Sequence, residues 1–309
     1  MEVAEMLIRK LRNVLIVGLL MGFANLLQAA ELLKPFVLAS TGSGDVATVV
    51  SDVKAKLATA GFELVGEYSP YDNASILIVT SDALKNAAAQ SEFGGYAAGQ
   101  RVSVTKVGDE VQVAYTNPVY MANAYRMKAS LQTTADALKQ ALGAKEMYGP
   151  ANGMSAEDVR EYHYMFGMEY FDEPSLLAQY KSYDEAVSMV EKSLAAKKGG
   201  VSKVYRIDVP GKDESVFGVH LTKECSSDKF IMGQIDFKPV RSTAHLPYEM
   251  LVSGKRVYAL YARFRIAINF PDLKMMGDNS FFKIMCAPDA IEKALTLAAG
   301  GKKATDDDY

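Results

Sequence analysis

The sequence predicts an α+β protein built from two related modules, each a mainly antiparallel sheet with helices packed on one face. Three observations lead there. Short alternating strands come in adjacent pairs, the clearest being GQRVSVTKVGDEVQVAYTNPVYM (99–121), where Gly108-Asp109 separates two period-2 runs and Asn117-Pro118 stops the second. Strands joined by so short a turn are antiparallel neighbours. Helical stripes lie between the pairs, and an echo of the first hairpin returns as GKRVYALYARFRIAINFPDLKM (254–275).

Length and composition agree with two domains that have real cores. The chain has 309 residues, 49% of them hydrophobic and 23% charged, which is not the balance of a disordered polymer. A net charge of -3 leaves no basic footprint for nucleic acid.

At the N-terminus, Arg9, Lys10 and Arg12 precede the apolar run Val14–Leu27. That run is short for a membrane span and suits the core of a signal peptide, so residues 1–30 are read as a bacterial-type export signal. Cleavage after Ala30 leaves Gln28 at the -3 position, whereas cleavage after Ala24 leaves Gly22 there, and both bonds stay open. Loss of residues 1–30 removes three basic and two acidic side chains and leaves the mature chain near -4. The expected address is the periplasm, with no membrane span once the signal is gone. Cys225 and Cys286 are the two cysteines. In an oxidising compartment they can form one disulfide, or remain two buried thiols packed as small hydrophobes.

Taken in order, the first module spans residues 31–145. Pro35–Ser40 reads as a strand, and Thr41-Gly-Ser-Gly-Asp45 turns into a helix whose Val46, Val49, Val50, Val53 and Leu57 form an amphipathic stripe. Gly61 closes that helix. Strands follow at 62–68 and 75–80, then an Ala-rich helix at 82–90, the hairpin, and a helix at 134–142 with Ala137, Leu138, Ala141 and Leu142 inward. Residues 146–180 are read as a Tyr/Met-rich linker opened by Gly149-Pro150, with Ser155 and Asp158 as a capping pair.

The second module, 181–299, restarts the pattern with a helix at 183–197 and strands at 203–209 and 215–222. Pro70 precedes Ser75 as Pro210 precedes Ser215, Gly99–Val102 answers Gly254–Val257, and Asn117-Pro118 answers Phe270-Pro271. On this pairing the second copy has no Gly-Asp turn, 258–268 alternates as one long strand, and 231–251 is an insertion. The tail, 300–309, has no apolar face and is expected to be disordered.

The first module resembles the small α/β domain catalogued as domain-of-unknown-function family 302. The likeness rests on KAKLATAGFELVGEY (54–68), SILIVTS (75–81) and RVSVTKVGDEVQVAYTNP (101–118), covers about 36–145, and extends more loosely to 180–299. These are hydrophobic and turn motifs. The resemblance implies a fold often found in exported bacterial proteins, and it carries over no reaction and no site residue.

Candidate chemistry is sparse. Gly42, Ser43 and Gly44 precede a helix N-terminus, where free N–H groups can hold an anion. The phosphate-loop ending is missing, so a capping turn is the competing expectation. His163, Met165 and Met168 form an HxMxxM run whose soft sulfurs and imidazole suit Cu(I) in a periplasmic protein. Against that, Tyr162, Met165, Phe166 and Tyr170 have the spacing of a helical stripe that packs on a core. His220 and Cys225 share a metal only if the strand between them breaks. Glu161, Glu169, Asp172 and Glu173 crowd the linker as material for a carboxylate pair. The leading expectation is an exported, non-catalytic protein that binds a small ligand or a protein partner at the inter-module cleft and at 150–175. The alternatives are a periplasmic copper-handling protein and a hydrolase-type enzyme with an unrecognised site.

Overall fold

The Val46–Leu57 stripe folds as its spacing demands. In the computed structural model, which describes residues 32–301, helix α1 (Val46–Thr59) buries Val50, Val53 and Leu57 against the sheet beside it. The signal segment 1–30 and residues 302–309 of the tail lie outside the described residues.

The first sheet comprises β1 (Phe36–Gly42), β2 (Glu63–Tyr68), β3 (Ala74–Thr80), β4 (Gln100–Val107), β5 (Glu110–Thr116) and β6 (Glu146–Tyr148). Its strands lie in the order β2-β3-β4-β5-β1-β6, and every neighbour is antiparallel. The second sheet comprises β7 (Ser175–Gln179), β8 (Val201–Asp208), β9 (Glu214–Leu221), β10 (Tyr248–Ser253) and β11 (Arg256–Ala259), in the order β7-β11-β10-β9-β8, again antiparallel. Apart from β6, the second order repeats the first.

The helices keep the same succession. In the first half, α2 (Asp82–Ala89), α3 (Pro118–Ala124) and α4 (Gln132–Leu142) follow α1. Past α5 (Ala156–Arg160), the second half has α6 (Tyr183–Ala195), α7 (Asp228–Ile235), α8 (Ala262–Ala267) and α9 (Ala287–Ala298).

Strand alternation decides what each face meets. Val102 and Val104 lie opposite Tyr115 and Val113, and this side carries α1. Arg101, Ser103 and Thr105 point the other way, toward the second sheet, as the reach of Arg101 to Glu249 and of Thr105 to Thr243 demonstrates. Helices α6 and α9 pack on the second sheet. The layers therefore run helix, sheet, sheet, helix. Gly66 on β2 passes so close to β8 that an added Cβ would sit 2.8 Å from the Val204 carbonyl oxygen, so only glycine fits there.

The structure revises several expectations. The segment 146–180 is not only a linker, because its ends supply β6 to one sheet and β7 to the other. Gly254-Lys255 is itself the β10–β11 turn, the counterpart of Gly108-Asp109, and both glycines take left-handed φ, 54° and 59°. The pairing of Gly254 with Gly99 is thus displaced by one strand. Residues 231–251, read as an insertion, are the end of α7, a loop and β10. The alternating run 258–268 is no long strand: β11 ends at Ala259 and α8 begins at Ala262. A helix buried on nearly every side shows no polar face, so its period was ambiguous. Phe270-Pro271 follows a helix, whereas Asn117 caps one and Pro118 opens it. In α4, Leu138 is buried while Ala137, Ala141 and Leu142 are only half-buried. Cys225 and Cys286 are joined as a disulfide, with Cα atoms 5.9 Å apart, tying the turn before α7 to the start of α9.

Candidate functional site

The space between the sheets, the expected place for a ligand, is filled by charge. Arg101 Nη1 donates to Glu249 Oε1 at 2.8 Å, and Arg265 Nε donates to Glu249 Oε2 at 3.2 Å. Arg265 Nη2 also donates to the carbonyls of His245 (2.6 Å) and Pro247 (3.1 Å). Its Nη1 lies 3.0 Å from His245 Nδ1. A guanidinium only donates, so Nδ1 accepts, and the ring proton sits on Nε2 facing the Tyr248 hydroxyl at 3.2 Å. Burial, then the charges of Arg265 and Arg101, hold His245 well below the ordinary histidine range. Arg101, Glu249, Arg265 and His245 are each 5% exposed or less, so no solute reaches them. The loop before β10 seals the same layer, with Thr243 bonded to Tyr71 and Thr105, and the Pro239 carbonyl accepting from Gln112.

A second buried group lies at the far side of this layer. Tyr68 donates to Asp228 Oδ2 at 3.2 Å, and His220 Nε2 stands 4.0 Å from the same oxygen. Burial raises Asp228 well above the usual carboxylate range. His220 is thereby directed at Asp228, while Cys225 is committed to its disulfide, and the two share no ligand.

The Tyr/Met-rich segment behaves differently from its spacing. Ser155 caps α5 as expected, accepting from the Asp158 N–H at 3.0 Å. Helix α5 stops at Arg160, and residues 161–174 are irregular, with Gly167 at a left-handed φ of 79°. The helical stripe is therefore not formed, and Phe166 is 99% exposed. The chain instead folds over α8 and the loop that follows it, enclosing a cavity of about 290 Å3. Met165 and Met168 come from one wall, Met275 and Met285 from the other, and Ile266 with Phe270 lies between. Tyr164 closes the wall by hydrogen bonding to the Met275 sulfur. Arg263 is the one charged side chain lining the cavity.

His163 is not brought to this wall. Its ring packs at a tilt against Tyr170, with centroids 4.6 Å apart, and its Nδ1 faces the Glu161 carbonyl at 3.4 Å. Of the four acidic residues, two meet only through Arg126, and Glu169 keeps one buried carboxylate oxygen without a hydrogen-bond partner. Asp172 pairs with Arg126 at 2.6 Å, Glu161 reaches the same arginine at 3.9 Å, and Glu173 accepts from the Tyr170 N–H. Among the described residues no three His, Cys, Asp or Glu side chains gather as a metal set. At the glycine-rich turn, Asp45 occupies the helix N-terminus that Gly42, Ser43 and Gly44 lead into. Its two carboxylate oxygens accept from the Thr48 N–H (2.9 Å) and hydroxyl (2.6 Å), and these bonds hold it below the usual carboxylate range. That N-terminus already has its anion.

Sequence reasoning singled out Met165 and Met168 but missed Met275, Met285 and Arg263, which lie about a hundred residues further on. It also missed the Arg101–Glu249–Arg265 cluster, for which Glu249 inside the otherwise apolar run 248–252 was the available sign. Among the described residues no helix is long and apolar enough to cross a membrane. No family model, curated relative or solved structure matches the chain, so the geometry of the pocket is what bears on function.

Proposed function

We propose that this chain is an exported binding protein that holds a small apolar ligand in the thioether-lined pocket between residues 164–168 and 263–285. The observation that carries this reading is the pocket itself: a concave, mainly apolar cavity, of a size at the low end of small-molecule sites. Its walls are supplied by unbranched methionines that adapt to a guest. Phe166, Met276 and Phe282, chain neighbours of the wall residues Met165, Met275 and Phe281, are further exposed apolar side chains. The export reading is supported by the basic-then-apolar N-terminus and by the disulfide, a bond of oxidising compartments. The likeness to domain-of-unknown-function family 302 and descent of both halves from one duplicated module belong to the same proposal. The shared strand order of the two sheets supports the duplication.

A second reading, soft-metal handling, has one observation in its favour: four thioethers from two distant segments face one cavity. His163 is not part of that wall.

Native mass spectrometry of the chain isolated from its own cells tests these readings together. A non-covalent adduct of organic mass is expected, on a chain that has lost its N-terminal segment and two thiol hydrogens. An adduct of copper mass replaces the first reading by the second. A bare chain that also fails to take up one equivalent of a neutral apolar dye such as 1-aminoanthracene removes ligand binding altogether. An intact N-terminus removes signal cleavage.

A further inference from the structure

We infer that the ligand of this pocket is an amphiphile with a single negative charge, a carboxylate on an unbranched apolar body, and that Arg263 is its counter-ion. The inference rests on the pocket reading above and concerns the ligand's chemistry. Every other wall residue is uncharged, and the Tyr164 hydroxyl is already engaged with Met275. The cavity therefore offers a ligand one charge, and it is positive.

Arg263 makes no short ion pair within the protein, although Glu169, Glu292 and Asp289 all act on the Tyr261 hydroxyl beside it. The nearest carboxylate to Arg263 is Asp289, at 3.9 Å from Nη2, and the Asp289 side chain is 89% exposed. A pair at that distance in solvent is weak. Among the described residues Arg263 donates no hydrogen bond within the protein, while its guanidinium lies 5.7 Å over the Tyr261 ring and its side chain is 34% exposed. The group is thus held in place with its donors unspent. Two residues along the same helix, Arg265 spends its donors on Glu249 and His245.

A guanidinium presents a planar fork that matches a carboxylate in two parallel hydrogen bonds. With the carboxylate on Arg263, an alkyl body lies among the methionine side chains, where it needs no polar partner. A cationic amphiphile would meet a like charge there, and a neutral one would leave the guanidinium as it stands.

The test uses the full mature chain and three probes of equal chain length: decanoate, 1-decanol and decylammonium, each competing with 1-aminoanthracene below its micelle concentration. Decanoate is expected to bind about ten-fold or more tightly than 1-decanol, the scale of a charge-assisted pair, with decylammonium the weakest. In Arg263→Gln the decanoate-to-decanol ratio is expected to fall toward one, and Arg263→Lys to recover part of it. Equal binding of decanoate and 1-decanol by the unaltered chain overturns the inference and leaves apolar-ligand binding standing, as does a ratio that survives Arg263→Gln. Failure of all three probes to compete overturns both.

Discussion

Arg263 and Arg265 lie two residues apart on α8 and face two different interiors. Arg265 enters the layer between the sheets, where one carboxylate, one imidazole nitrogen and two carbonyls take up its donors. Arg263 turns to a cavity of methionine and aromatic side chains and meets no comparable partner. A buried charge whose bonds are all satisfied holds structure in register and leaves nothing for a visitor. An apolar wall with one unspent cation does the opposite. The difference separates a structural ion cluster from the pocket proposed above to bind a ligand, although an arginine of the same helix serves each.

The largest effect that separates the regions is on stability. Glu249→Ala strands Arg101 and Arg265 as buried, unpaired cations, and is expected to lower the unfolding free energy by about 3–5 kcal/mol in urea titrations. A loss of only about 1 kcal/mol would mean that water or movement relieves both cations, and that the cluster is not what holds the sheets together.

A smaller effect concerns pH. His245 resists protonation in the folded state, so its contribution is present above the ordinary histidine value of 6.5 and is lost as pH falls through and below it. Asp236, pushed up to about 7 by burial, slopes the other way, because the folded state takes up its proton first and gains stability as pH falls from 7 toward 3.8. The informative quantity is therefore the difference between the unaltered chain and His245→Gln in urea midpoints at pH 8, 6.5 and 5. The unaltered chain should lose its advantage on the acid side. Over the same range the affinity for 1-aminoanthracene should stay flat, since no histidine or carboxylate lines the wall; a parallel acid loss would couple the pocket to the inter-sheet cluster.

The smallest expected effect is at the rim. Phe166→Ser removes a ring that is 99% exposed and should leave stability within about 0.5 kcal/mol. A larger loss would show that the ring packs on the protein in solution and that the rim is closed there.

Local pattern carried much of the architecture. The Val50, Val53 and Leu57 stripe, the Gly108-Asp109 turn, the fully buried β3 and the Ser155 cap each depend on residues within a turn or two of one another, so spacing alone specifies them. Where two periods fitted one string, as at α8, alternation pointed to a strand and burial on all sides made a helix. The two candidate regions obey no local rule. Arg101 meets Glu249 148 residues away, and Tyr164 meets Met275 111 residues away. The amino-acid sequence by itself determined which stretches become strands and helices, because backbone geometry and periodic burial act between near neighbours. Only the tertiary structure decided that one arginine of α8 is spent and the other free, because a side chain's partners are set by which distant segments the packed sheets bring within hydrogen-bonding reach.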